Sequence, residues 1–213
     1  MTSRLAVAAL SSGVFLASAC SLGEGEGQIA SEALKVTGCS DGRFVLSPDF
    51  FAAVPFRNTL TIRVQHGGDI EEVSDGAIIL VDDVEAIRRR IAVDPGTEFR
   101  VGLQPSIVPP GYPIVADPDP PLVHLTLYLH RSCHAQNSAL YAIAGAIRFQ
   151  SLFNANPNET NAAEKLTQAE FADISLADPR ELAGEADPAA FISHIHGYFR
   201  FYFQRGQPAQ PFP

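Results

Sequence analysis

Two-residue alternation near the end of the chain constrains the fold more than any other feature. Across residues 191–204, Phe191, Ile195, Phe199, Phe201 and Phe203 share one face, and His194, His196, Tyr198, Arg200, Tyr202 and Gln204 share the other. Successive side chains of a strand point to opposite faces, so this pattern predicts a strand covered on one side only. A helix is excluded, because its apolar stripe recurs every three to four residues.

The same period returns upstream. Residues 122–130 set Val123, Leu125, Leu127 and Leu129 against His124, Thr126, Tyr128 and His130. Residues 59–66 set Leu60, Ile62 and Val64 against Thr61, Arg63 and Gln65. Residues 141–153 collect Tyr141, Ile143, Ile147, Phe149 and Phe153 on one side, with Gly145 between them. In residues 166–176 the positions of Phe171 and Ile174 break strict alternation, which predicts a β-bulge. Gly67-Gly68-Asp69 and Asp75-Gly76 mark turns, the second feeding a short apolar strand over 77–81. One helix is predicted over 84–91, where Val84, Ile87 and Ile91 share a face. Asp82-Asp83 at its start and Arg88-Arg89-Arg90 at its end suit the helix dipole.

About seven one-sided strands with a single short helix predict a mainly β chain. The expected architecture is an antiparallel two-sheet β-sandwich over residues 39–213, with a β-barrel as the alternative. The last three strands are expected to form a meander. Seven prolines between Pro105 and Pro121 exclude a central strand or helix there. That stretch is either a crossover or a binding edge. Hydrophobic residues at 46% and charged residues at 18% belong to a folded chain, and a net charge of −9 argues against nucleic acid as a partner.

The first 20 residues carry an address. Arg4 is followed by an uncharged run over 5–16, shorter than the roughly 20 residues a membrane span needs, and then by Leu16-Ala17-Ser18-Ala19-Cys20. A basic tip, a short apolar core and small residues at the cut describe a secretory signal peptide. The stretch resembles the bacterial lipoprotein class, whose cysteine just after the cut receives lipid, palmitate included, and becomes the mature N-terminus. The resemblance implies removal of residues 1–19, lipidation of Cys20 and membrane attachment through that lipid. Ser21, where the class uses Asp to retain proteins at the inner membrane, implies an outer-membrane lipoprotein of the Gram-negative envelope, facing the periplasm or the outside. Ala17-Ser18-Ala19 also fits an ordinary A-x-A cut that would release the protein unlipidated. Parity favours lipid: with Cys20 occupied, Cys39 and Cys133 remain as an even pair able to form a disulfide after export. The Gly–Glu run that follows Cys20, to Gln28, reads as part of a flexible spacer over 20–38.

Histidines are the main chemical candidates. His194 and His196 lie two apart on one strand face, and His124 and His130 on the polar face of another, with His134 just beyond. Were those strands neighbours, three imidazoles would converge on a transition metal such as Zn. Otherwise no cofactor is expected. Tyr198 and Tyr202, flanking Arg200, form a candidate sugar- or peptide-binding strip. The nucleophile elbow G-x-S-x-G, the zinc motif H-E-x-x-H, a P-loop lysine and C-x-x-C are all missing from residues 20–213. The expected function is therefore a lipid-anchored, non-enzymatic binding or structural module of the envelope, with a protein, peptide or glycan partner. A histidine-based metal-binding or metal-dependent protein is the alternative.

Overall fold

A computed structural model describes residues 25–67, 74–108, 117, 119–134, 138–182 and 188–204. The signal segment, Cys20 and most of the proline-rich stretch lie outside the described residues. The strands are β1 (Gly25–Val36), β2 (Ser40–Leu46), β3 (Phe50–Phe56), β4 (Thr59–Gln65), β5 (Asp75–Val81), β6 (Glu98–Arg100), β7 (Val123–Leu129), β8 (Ser138–Ser151), β9 (Leu166–Ala177) and β10 (Ser193–Tyr202). Helix α1 (Val84–Val93) follows β5, and two four-residue helices, α2 (Ala162–Lys165) and α3 (Pro179–Leu182), flank β9. No helix among the described residues is long and apolar enough to cross a membrane.

The strands pair as one antiparallel sheet in the order β2-β1-β10-β9-β8-β7-β5-β4-β3, with β6 attached to β8. The meander β8-β9-β10 forms as expected. Two separate sheets do not. The sheet is curled into a half-barrel, and its own far wing covers the apolar face that a second sheet was expected to cover. Phe51 of β3 stacks on Phe201 of β10, and Ile29, Leu60, Ile62, Ile79, Phe149 and Phe199 are buried in the same core. One-sided alternation states that a face is covered, not what covers it.

The Gly–Glu run departs from its expectation as a spacer, because β1 begins at Gly25. A Cβ on Gly25 would lie 2.7 Å from both Phe201 Cβ and Phe51 Cδ2, and one on Gly27 would lie 2.9 Å from the Tyr198 carbonyl oxygen. The glycines are the positions where the strand passes close to its neighbours, while Glu26 and Gln28 are exposed.

The outer face of β4, β5 and β7 also differs from expectation, being covered rather than open. Arg63, Gln65, His124 and Tyr128 are all buried there. The Tyr128 hydroxyl donates to Gln65 Oε1 at 2.6 Å, and Gln65 Nε2 donates to the Gly67 carbonyl at 2.5 Å. Burial pushes the Tyr128 hydroxyl up to about 12, with the nearby Arg63 cation opposing and Asp75 adding to the shift. In β8 the inward side chains change parity, from Leu140 and Ala142 to Ile147 and Phe149. Register shifts on both sides of Gly145 (φ +125°) produce the change and leave Tyr141 and Ile143 half-buried.

Helix α1 forms where the sequence predicts it. Asp83 caps it by accepting from the Ala86 N–H at 2.8 Å, and the Asn58 amide donates to the same carboxylate at 2.8 Å. Val84 and Ile87 are its buried residues, and Arg88 reaches the Leu152 carbonyl and Glu164.

Cys39 and Cys133 sit at disulfide distance, with Cα atoms 5.7 Å apart. The pair ties the β1–β2 turn to the turn after β7, across a separation of 94 residues. Chain-entropy arguments assign such a link about 4–5 kcal/mol. Asp75 shapes the second turn, accepting from the Arg131 and Ser132 N–H groups at 3.0 Å each and from Ser132 Oγ at 2.5 Å.

Candidate ligand-binding face

The polar face of β10 is exposed, as alternation predicts, and bulges on either side of it create relief. In β1 the pairing with β2 steps from Ser31–Phe44 to Leu34–Gly42, so Glu32 and Ala33 form an excursion. In β9 the pairing with β10 steps from Ile174–Ile195 to Phe171–Gly197, so Ala172 and Asp173 oppose His196 alone. The second of these is the bulge that Phe171 and Ile174 foretell. Both irregularities fall at the level of His194 and His196. They re-aim side chains there and open the surface between strands.

Two adjoining depressions result. One, of about 380 Å³, is lined by Glu32, Lys35, Asp173, His194 and His196 among others. The next, of about 510 Å³, is lined by Gln28, Glu98, Arg148, Glu170 and Tyr198 together with the small residues Ala146, Ala172 and Gly197. His196 and Ala172 border both. These volumes lie within the range of small-ligand sites. A third depression, of about 520 Å³, borders the Cys39 turn and Glu181.

Strand register sets the second depression's chemistry. Gln28 of β1 is opposite Tyr198 of β10, Tyr198 is opposite Glu170 of β9, Glu170 is opposite Arg148 of β8, and Arg148 is opposite Glu98 of β6. Five strands thus present one row of side chains across the outer face. Arg148 and Glu170 form an ion pair within it. In the neighbouring depression His194 Nδ1 lies 2.8 Å from Asp173 Oδ1.

The structure separates the histidine candidates. β7 and β10 are not neighbours, since β8 and β9 lie between them. His124 is buried, with Nδ1 2.8 Å from the Gly102 carbonyl and Nε2 3.1 Å from Asp82 Oδ2. His130 packs against the Tyr128 ring at 5.2 Å, and His134 is exposed beside Cys133. Among the described residues no group of three or more His, Cys, Asp or Glu side chains is placed to hold a metal. His194 and His196 do share a depression, but His124 and His130 do not join them. The hydrogen-bond partner of His194 is Asp173; among the described residues no hydroxyl or thiol hydrogen-bonds it.

Tyr198, His194 and His196 are visible as candidates from alternation alone. Gln28, Glu98, Arg148, Glu170 and Asp173 are not, because their role depends on strand order and register. Only the irregularity at Phe171 and Ile174 signals that relief is built here. Comparison of the chain with protein-family models, curated proteins and solved structures finds no match, so the geometry of this face is what its functional reading rests on.

Proposed function

We propose that the protein is a lipid-anchored, non-enzymatic binding module of the bacterial cell envelope. Export is directed by residues 1–19, the anchor is lipid on Cys20, and the destination is the outer membrane. Its work is ligand binding through the outer face of β1, β10, β9 and β8. The observation that carries this reading is the pair of adjoining depressions on the outer sheet face, lined by an exposed aromatic ring and ionisable side chains. Specific polar groups gathered around a concave surface are what recognition of a small ligand or chain segment requires. The Cys39–Cys133 pair agrees with export, because disulfides persist in oxidising compartments.

Membrane fractionation of cells producing the wild-type chain or Cys20→Ala tests the address. Wild type is expected in the membrane pellet and Cys20→Ala in the soluble fraction. A Cys20→Ala protein that stays in the pellet overturns lipid anchoring at this residue.

A further inference from the structure

We propose that the row of side chains around Tyr198 binds an uncharged glycan chain. The inference rests on the reading of this face as a binding surface and names its ligand class.

Tyr198 is 48% exposed although its strand lies in the interior of the sheet, paired on both sides. Its cross-strand neighbours are an amide, Gln28, and a carboxylate, Glu170. An aromatic face edged by planar polar groups complements a pyranose ring. The ring stacks its C–H face on the aromatic, and its hydroxyls reach the donors and acceptors beside it.

Charge narrows the class. The two depressions carry four carboxylates, Glu32, Glu98, Glu170 and Asp173, against the permanent cations Lys35 and Arg148. That balance disfavours phosphates, acidic peptides and nucleic acid. It does not make a trap for polycations either, since Glu170 is held by Arg148 and Asp173 lies against His194. What remains is a neutral ligand whose groups both donate and accept. Hydroxyls meet that requirement opposite alternating Gln, Glu, Arg and Glu side chains. Length follows from the neighbouring depression of about 380 Å³, which continues past His196 along β10 and gives room for more than one ring.

The test is isothermal titration of the full-length protein, in a detergent with no sugar head group, against tetrasaccharides of N-acetylglucosamine and of glucose. Saturable binding of at least one is expected, weakened about tenfold by Tyr198→Ala and retained by Tyr198→Phe. Tyr202→Ala, on the same face but outside both depressions, is expected to change affinity less than twofold. Absence of binding by both saccharides, or binding indifferent to Tyr198→Ala, overturns the proposal. A neutral tetrapeptide that binds in a Tyr198-dependent way where the saccharides do not overturns the glycan assignment and leaves the binding-module reading standing. Shortened saccharide detected by mass spectrometry after the titration does the reverse: it upholds the glycan assignment and overturns the non-enzymatic reading.

Discussion

The ring of Phe51, in the edge strand β3, stacks on the ring of Phe201 in β10, with centroids 5.7 Å apart and planes 27° from parallel. Along the sheet, five strands lie between them. The contact brings the two wings of one sheet together over a shared core. Removing either ring is expected to destabilise the protein by about 3–5 kcal/mol, as truncation of a buried Phe does. Because the rings touch each other, Phe51→Ala and Phe201→Ala together should cost less than their separate costs added. Urea unfolding of the two single variants and the double variant measures this, and strict additivity would deny that the contact couples the wings.

Gly25 offers a sharper test of where the folded domain begins. A methyl group there meets Phe51 and Phe201 at 2.7 Å, so Gly25→Ala is expected to cost about 1–3 kcal/mol. Glu26→Ala, at an exposed position, should stay within about 0.5 kcal/mol of wild type. Equal, negligible effects at both positions would return this segment to a spacer.

Tyr128 gives the alkaline limb of stability a specific cause. Its folded value is pushed up to about 12 by burial, above the ordinary 10. The neutral phenol is therefore favoured by folding. Its contribution is complete below about pH 10 and is lost as pH rises from there to about 12. Urea midpoints of wild type and Tyr128→Phe across pH 8 to 12 check the sign. The difference should shift against wild type over that window. At neutral pH the variant should already be weaker by about 1–3 kcal/mol, because Gln65 Oε1 loses a buried donor.

At the acidic end the helix cap is the group to follow. The Ala86 N–H, then the Asn58 amide, hold the Asp83 carboxyl below its usual value of 3.8. A lowered value means that the cap contributes above the ordinary aspartate range and fades as pH falls through the folded value. Asp83→Ala is expected to cost about 1 kcal/mol at pH 7. That cost should shrink below pH 3.8, as read by denaturant unfolding at both pH values.

How much of this architecture can be read from the chain depends on the range of the interaction involved. The two faces of β10, the span and cap of α1 and the bulge at Ala172–Asp173 are local, and side-chain period or capping residues announce them. β1 escapes notice because its apolar face begins with glycine, where neighbouring phenylalanines supply the bulk. The covered outer side of β7 is hidden for a related reason: His124 and Tyr128 are polar residues made internal by partners distant in sequence, Gly102, Asp82 and Gln65. The row through Tyr198 joins five strands drawn from residues 28 to 198. No local pattern contains it, because cross-strand register is decided only when the sheet assembles.

With the anchor proposed at Cys20, the early start of β1 would also fix a leash. Only Ser21 to Glu24 separate Cys20 from the first residue of the sheet, a reach of about 17 Å even at full extension. Gln28, beside Tyr198, lies about 10 Å further along the strand. With lipid on Cys20, the domain would patrol a thin layer next to the bilayer instead of sweeping the width of the compartment. Whatever docks beside Tyr198 would then have to come to the membrane, since the tether is too short for the protein to go out and fetch it.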